Sequence, residues 1–479
     1  MLQISAKEIE TRLRFDNPWW ESAEGLDPRI EQYPRRFYFK LFFGLLADRK
    51  VNRAVVLMGP RRVGKTVMVF HAIAKLLADG VERRKILYLS LETPLYTDLS
   101  LEQIVKLFQK MHGHQRDDQL YIFFDEVQYH KNWEVHLKSL VDSYAKYQFV
   151  VTGSSAAALR LKSSESGAGR FTDFLLPPLT FAEYLNFIGR EQELIVEHQA
   201  PDSPIISYTA TDINALNKEF VNYLNYGGYP EAVFSPTIRA DTARYIKGDI
   251  IDKVLLRDLP SLYGISDIQE LNKLFTTIAY NTGNEISLEG LSQSAGVVKN
   301  TLKRYLEYLE AAFLIKRVYR IDQNAKHFKR VTSFKVYLTN PSMRAALFGP
   351  IDIDADSIGA LTETAIYSQW WHTAADSLHY ARWPEGEVDI VSLDPKNQKP
   401  HWIVEVKWSD RPCEHHELLS NCVFFASKHK IKGASLVTTR TKTGEVTVDG
   451  VQIRFTPSSE YAYTLGKNIL RFKVVATSR

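Results

Sequence analysis

A chain of 479 residues is long enough for about three domains, and 45% hydrophobic content supplies apolar side chains for a core in each. Its 60 basic and 56 acidic residues leave a formal charge of +4, so bulk charge does not name a nucleic-acid partner, and two cysteines, Cys413 and Cys422, exclude a disulfide framework and a cysteine-rich zinc site. The N-terminus lacks the apolar run of a signal peptide and no window approaches the roughly eighteen apolar residues of a membrane span, so the expectation is a cytoplasmic chain without a membrane segment.

Residues 1–50 read as a helical lead-in: a helix over Ile4 to Phe15, a turn at Asn17-Pro18-Trp19-Trp20, then a helix carrying Phe37, Leu41, Leu45 and Leu46 at helical spacing. Trp19 and Trp20 are read as hydrophobic anchors, with stacking beside a bound base as the alternative. Residues 51–180 form the next expected domain. Ala54 to Met58 reads as a strand buried on both faces, and Val69, Ile73, Leu76 and Leu77 share one face of a following helix. Between them stands Gly59-Pro60-Arg61-Arg62-Val63-Gly64-Lys65-Thr66, a phosphate-binding loop. Its glycines let backbone N–H groups converge on a phosphate, Lys65 reaches the β and γ oxygens, and the Thr66 hydroxyl ligates Mg²⁺.

Strand and helix then alternate: Lys85 to Leu91, Leu101 to Met111, Leu120 to Phe124, Trp133 to Tyr144, Gln148 to Thr152. That alternation predicts a parallel sheet with ligand at the carboxyl ends of its strands. The strand LYIFF delivers Asp125 and Glu126, the first to hold Mg²⁺ and the second to polarise an attacking water. The next strand ends in Thr152-Gly153-Ser154-Ser155, where a hydroxyl senses the γ-phosphate or caps a helix. After a Ser/Gly-rich loop, Arg170 is a candidate arginine finger toward a γ-phosphate, in its own chain or on a neighbouring subunit, with a surface salt bridge as the alternative.

The GPRRVGKT loop, the FFDEVQ strand end, TGSS, the Gly169-Arg170 pair before LPPLTFAEYL, and Tyr226-Gly227-Gly228-Tyr229-Pro230-Glu231 together resemble bacterial and archaeal P-loop ATPases of the AAA+/STAND neighbourhood. The resemblance covers almost the whole chain. It implies ATP binding and hydrolysis through Lys65, Thr66, Asp125 and Glu126, and a C-terminal domain of unknown function with a PD-(D/E)XK nuclease-like core.

Residues 181–265 read as a helical lid region with a polar surface loop near 200–212. In 266–340, Ser287 caps a short helix, Ala295-Gly296 turn, and Lys299 to Leu309 form a second helix with Leu302, Tyr305, Leu306 and Leu309 inward. This is a helix-turn-helix with strands after it, a winged helix, and its outward Lys299, Asn300, Lys303 and Arg304 are placed to meet DNA.

Residues 341–479 hold a second constellation. A hairpin symmetrical about Asn397 sets Asp389 opposite Glu405, and two facing carboxylates demand a positive partner. Lys407 projects on the side of Glu405, completing a D…ExK pattern like that of PD-(D/E)XK nucleases, and Glu363 matches the acid that often precedes it. The expected chemistry is Mg²⁺ held by Asp389, Glu405 and Glu363, with Lys407 stabilising the charged phosphorane. His401, His415 and His416 are read as surface residues.

The expected fold is therefore α/β: a P-loop ATPase with a parallel sheet, then a helical and winged-helix region, then a restriction-endonuclease-like domain. Its cofactors are ATP and Mg²⁺. Its partner is nucleic acid, DNA first, or a protein client, and an arginine finger between copies would make it a homo-oligomer. The alternative to a nuclease-coupled switch or motor is a nucleotide-gated interaction switch or protein-remodelling ATPase whose nuclease-like domain does not cleave.

Overall fold

The computed structural model describes residues 5–22, 26–48, 50–96, 98–153, 169–199, 206–326, 333–370, 378–431, 433 and 435–477. Two compact units divide the chain, Met1–Pro177 and Pro178–Arg479.

The first unit opens with α1 (Ala6–Asp16), started by a capping box: Ser5 Oγ accepts from Glu8 N, and Glu8 Oε2 accepts from Ser5 N at 2.8 Å. A single turn, Pro18–Trp20, follows. Trp19 and Trp20 are both buried, and their indole N–H groups donate to the carbonyl of Ile86 at 3.3 and 2.8 Å. They are anchors, fixed at the amino end of a strand and so away from the ligand edge of the sheet, which removes the base-stacking alternative. After α2 (Phe39–Ala47) the chain enters the sheet: β1 (Ala54–Met58), α3 (Lys65–Ala78), β2 (Ile86–Ser90), α4 (Leu101–His112), β3 (Tyr121–Asp125), α5 (Trp133–Ser143), β4 (Gln148–Gly153) and β5 (Phe171–Leu175). Every residue of β1, β3 and β4 is buried, as strands covered on both faces must be.

The strands run parallel in the order β2-β3-β4-β1-β5. Because β4 lies between β1 and β3, the chain leaves the sheet at three adjoining carboxyl ends: Met58 beside Gly153, and Phe124 beside Val151. β5 was not foreseen. Its Thr172 and Asp173 are partly or fully exposed, the pattern of an edge strand rather than a buried run.

The second unit begins with α6 (Phe181–Phe187). Where a surface loop was expected there is an antiparallel hairpin, β6 (Ile195–Gln199) with β7 (Ile206–Ala210), whose connection lies outside the described residues. Helices follow, among them α7 (Ile213–Tyr226) and α8 (Ile268–Tyr280). Then come β8 (Glu285–Ser287), α9 (Leu288–Ala295), α10 (Lys299–Ala311), β9 (Ile315–Ile321) and β10 (Ser333–Leu338). Ser287 Oγ accepts from Gly290 N at 2.9 Å to cap α9, and Gly296 turns the chain at φ 76°.

The rest of the chain is α11 (Ile358–Trp370), β11 (Leu378–Trp383), β12 (Gly386–Leu393), β13 (Pro400–Glu405), α12 (Ser420–His429), β14 (Ser435–Thr439), β15 (Gly444–Val448), β16 (Val451–Pro457) and α13 (Ser458–Thr477). A parallel pairing of β11 with β9 joins the two groups of strands into one nine-stranded sheet, β15-β16-β14-β13-β12-β11-β9-β10-β8. One face of its C-terminal half packs Val391, Ile403, Val437 and Ile453 against Cys422, Val423 and Phe425 of α12. No helix among the described residues is long and apolar enough to cross a membrane.

Candidate functional site

The loop from Gly59 to Thr66 leaves the carboxyl end of β1. A Cβ on Gly59 would lie 2.1 Å from the carbonyl oxygen of Leu176, so no side chain fits there. Gly64 adopts φ 91°, which lets the loop curl directly into α3. Val63 is buried and Arg62 also has a left-handed backbone, φ 63°. Arg36 was missed in the sequence. It is buried, and its guanidinium donates to the carbonyls of Val63 (2.8 Å) and Pro177 (2.9 Å), pinning the loop from behind. The buried ammonium of Lys65 donates to the carbonyls of Gly59 and Pro60 at 3.0 and 2.8 Å.

Asp125 ends β3 beside this loop. Its carboxylate accepts from the hydroxyls of Thr66 (2.8 Å), Tyr88 (3.0 Å) and Thr152. Burial pushes the Asp125 carboxyl above its ordinary pKa, the neighbouring charge of Glu126 adds to the rise, and the three hydroxyls oppose it. Thr152 does two jobs. While donating to Asp125 it accepts from Glu126 N at 3.2 Å, fixing the residue that follows the acid. Glu126 itself takes φ 55°, rare for a residue with a side chain, and its carboxylate accepts from the Gln128 amide. The site therefore brings together Lys65, Thr66, Asp125, Glu126 and Thr152 as expected, and adds Tyr88, Arg36 and Gln128. Three hydroxyls around one buried carboxylate, next to a glycine-walled loop at a helix N-terminus, form a donor set that fits a nucleotide phosphate with its Mg²⁺.

Arg170 does not join them. β5 runs parallel to β1 with Phe171 beside Ala54, so Arg170 sits at the amino ends of the strands, where its carbonyl accepts from Ala54 N at 2.9 Å. Its side chain pairs with Asp142 at 2.9 Å, both about half exposed. The own-chain finger is thus corrected to a surface ion pair. Ser154, Ser155 and the Ser/Gly-rich loop lie outside the described residues.

In the second unit, Leu302, Tyr305, Leu306 and Leu309 of α10 are buried, whereas Lys299, Asn300, Lys303 and Arg304 are exposed, with Lys299 paired to Glu289 at 3.3 Å. His401, His415 and His416 are exposed.

The C-terminal acids meet in the expected register. Ile390 pairs with Val404 and Val391 with Ile403, which sets Asp389 opposite Glu405, and Asp389 N reaches Glu405 Oε2 at 3.4 Å. Lys407 Nζ lies 2.7 Å from Glu405 Oε1 and 3.9 Å from Asp389 Oδ2. Glu363, from α11, is there too. What was not expected is Lys335. This buried residue of β10 places its ammonium 2.9 Å from Glu363, 2.6 Å from Glu387 and 3.0 Å from Asp389. Burial pushes the carboxyls of Glu363 and Glu405 up to about 7, with the charge of Asp389 adding to both. Asp389 itself is held low: the attraction of Lys335 and Lys407 and a hydrogen bond from Val406 N (3.0 Å) outweigh its burial. Among the described residues no three His, Cys, Asp or Glu side chains are arranged to hold a metal ion. The expected set of Glu363, Asp389 and Glu405 gathers around lysines instead.

Comparison with known proteins bears on the first unit. Residues 51–185 match the model of an AAA domain, so this segment is a P-loop ATPase domain of that kind. Residues 217–356 match a domain of unknown function, DUF8612. Neither match extends over 357–479. An uncharacterized protein of Haemophilus influenzae is 25% identical over 303 residues, 61% of this chain and 69% of that one. Another, from Methanocaldococcus jannaschii, is 24% identical over 362 residues, 72% and 74% of the two chains. Among solved structures, a Walker-type ATPase of Pyrococcus abyssi aligns over 67% of this chain and 97% of its own, at 15% identity and a TM-score of 0.42. A replication initiator DnaA bound to AMPPCP and single-stranded DNA aligns over 60% and 92%, at 12% identity and a TM-score of 0.30.

Proposed function

We propose that the chain is an ATP-binding and ATP-hydrolysing switch whose second unit engages nucleic acid. The observation that carries this reading is the meeting of Lys65, Thr66, Asp125 and Glu126 at adjoining carboxyl ends of β1, β3 and β4. Loop N–H groups and Lys65 would bind the phosphates, and Thr66 with Asp125 would hold Mg²⁺, which supplies charge neutralisation at the phosphate oxygens. Glu126, fixed through its backbone by Thr152, would orient and polarise the water that attacks. In the second unit, the winged-helix reading rests on the α9–turn–α10 geometry and strands β8 to β10, and its DNA-facing surface would be Lys299, Asn300, Lys303 and Arg304. The order α11-β11-β12-β13-α12-β14, with Asp389 facing Glu405, supports a nuclease-like layout for the C-terminal segment. The lysines among its acids favour binding over cleavage.

The test incubates the whole protein with ATP, Mg²⁺ and single-stranded, double-stranded or structured nucleic acid, following phosphate release and nucleic-acid retention together. Hydrolysis with nucleotide-dependent retention is expected. A folded protein that hydrolyses no ATP under any of these conditions contradicts the switch, and hydrolysis without retention transfers the partner to a protein client.

A further inference from the structure

We infer that the ammonium of Lys335 is the resident cation of the C-terminal acidic site, standing where a nuclease of this layout would carry a divalent metal. The inference rests on the nuclease-like reading of the C-terminal segment and goes beyond it, because it assigns the site's charge balance to a residue of a different strand group.

Three observations carry it. A lysine ammonium has three N–H donors, and three carboxylates from two elements meet this one: Glu363 of α11, and Glu387 and Asp389 of β12, at 2.6–3.0 Å. The donors are therefore fully used, by oxygens at N–H···O lengths rather than the roughly 2.0–2.1 Å of Mg²⁺ coordination. Second, the ammonium is enclosed. The Lys335 side chain is 4% exposed, its Nζ lies 5.5 Å from the centre of the Tyr380 ring, and Tyr337 OH donates to the same Glu363 oxygen that accepts from Lys335. Third, Lys335 and Lys407 between them contact all four acids, with Asp389 bridging the two ammonium groups at 3.0 and 3.9 Å. Facing acids inside a sheet require a positive partner, and here the chain supplies it without a metal.

The same contacts link β10 to β12 by side chains as well as through the intervening strands. β10 is two strands removed from β11, yet its lysine reaches across to the β12 acids, tying the winged-helix strands to the C-terminal segment. Since the cation is covalently part of the fold, the site does not depend on free Mg²⁺. The charge cluster is then a structural tie within a binding module.

The test is a Mn²⁺ titration, by calorimetry and by thermal unfolding, of the full chain without nucleotide in the Lys65→Ala background, so that the phosphate loop contributes least. The parent protein is expected to show no Mn²⁺ binding that Asp389→Asn removes, and no shift of its unfolding midpoint. Lys335→Met keeps the length of the side chain and deletes the charge. It is expected to gain a Mn²⁺ site at least tenfold tighter than any seen in the parent, with a raised unfolding midpoint, and adding Asp389→Asn should abolish both. Since Lys335→Met leaves acids buried without their partner, Lys335→Met/Glu363→Gln, which removes one negative charge with the positive one, serves as the second, better-balanced variant. Recovery of an unfolded Lys335→Met by Mn²⁺ also supports the inference. Binding of Mn²⁺ by the parent through Asp389 overturns it while leaving the nuclease-like reading in place. No binding by the parent or by either folded variant overturns both.

Discussion

Thr152→Val replaces a hydroxyl by a methyl of similar shape at the centre of the nucleotide site. Thr152 Oγ1 makes two links, donating to Asp125 and accepting from Glu126 N at 3.2 Å, and valine makes neither. Asp125 keeps Thr66 at 2.8 Å and Tyr88 at 3.0 Å, so its burial stays partly compensated. Hydrogen bonds to charged groups contribute about 1.5–3 kcal/mol and an orphaned buried N–H costs about 1–3 kcal/mol, so with partial relaxation a net loss of about 2 kcal/mol is expected. For a unit the size of Met1–Pro177, this lowers the midpoint of its unfolding by roughly 4–8 °C. Activity should fall further than stability. Glu126 holds φ 55° only while its surroundings enforce it, and without Thr152 the carboxylate loses its fixed origin. The assay pairs calorimetric unfolding with ATP turnover at a temperature where the variant is folded. An unaltered midpoint together with unaltered turnover would refute the role given to this hydroxyl, whereas Thr152→Ser should restore most of both.

Glu126→Gln should preserve ATP binding and cut turnover on the order of a hundredfold or more, measured as phosphate release against equilibrium nucleotide binding; near-normal turnover moves the base elsewhere. Arg170 lies at the amino edge of the sheet, so any finger role must cross to another copy: Lys65→Ala and Arg170→Ala proteins, each inactive, should recover hydrolysis when mixed. No recovery under conditions shown to exchange subunits leaves Arg170 as a surface ion pair only. Burial pushes the Glu363 carboxyl from an ordinary 4.5 up to about 7 in the fold, so the folded state holds the extra proton between those values and stability falls as pH rises from about 4.5 to about 7. Glu405, pushed up to about 7 as well, contributes over the same window, so Glu363→Gln should reduce that slope by roughly half in urea unfolding followed across it, and an unchanged slope sinks the assignment.

Much of the first unit was legible because its strands are short apolar runs between turn signals. β1 falls on its expected limits and β2, β3 and β4 within a residue of theirs. β5 escaped because an edge strand with an acidic residue, Phe-Thr-Asp-Phe-Leu, lacks that signature, and the β6–β7 hairpin escaped because its polar alternation reads as loop. The Asp389–Glu405 pairing was legible from hairpin symmetry alone, since a local turn fixes register. Lys335 was not. It reaches Glu363 and Asp389 across 28 and 54 residues of chain, through a sheet whose strand order no local pattern encodes. Arg36 was hidden for the same reason, being 27 residues from Val63 and 141 from Pro177. In both cases a single basic residue, unremarked in sequence, takes its meaning from tertiary neighbours.

The central claim is that the Gly59–Thr66 loop binds a nucleotide phosphate through Lys65. The most direct measurement is equilibrium binding of a fluorescent, non-hydrolysable ATP analogue with Mg²⁺ to the full chain and to Lys65→Ala, each checked for an unchanged unfolding profile. The ammonium donates to the carbonyls of Gly59 and Pro60, at 3.0 and 2.8 Å, both within the loop itself, so Lys65→Ala should take away the charge that meets the phosphates, and the unfolding profile checks that the fold is kept. Saturable binding by the parent, lost in Lys65→Ala, is the predicted result. Equal affinity in a folded Lys65→Ala protein would contradict it.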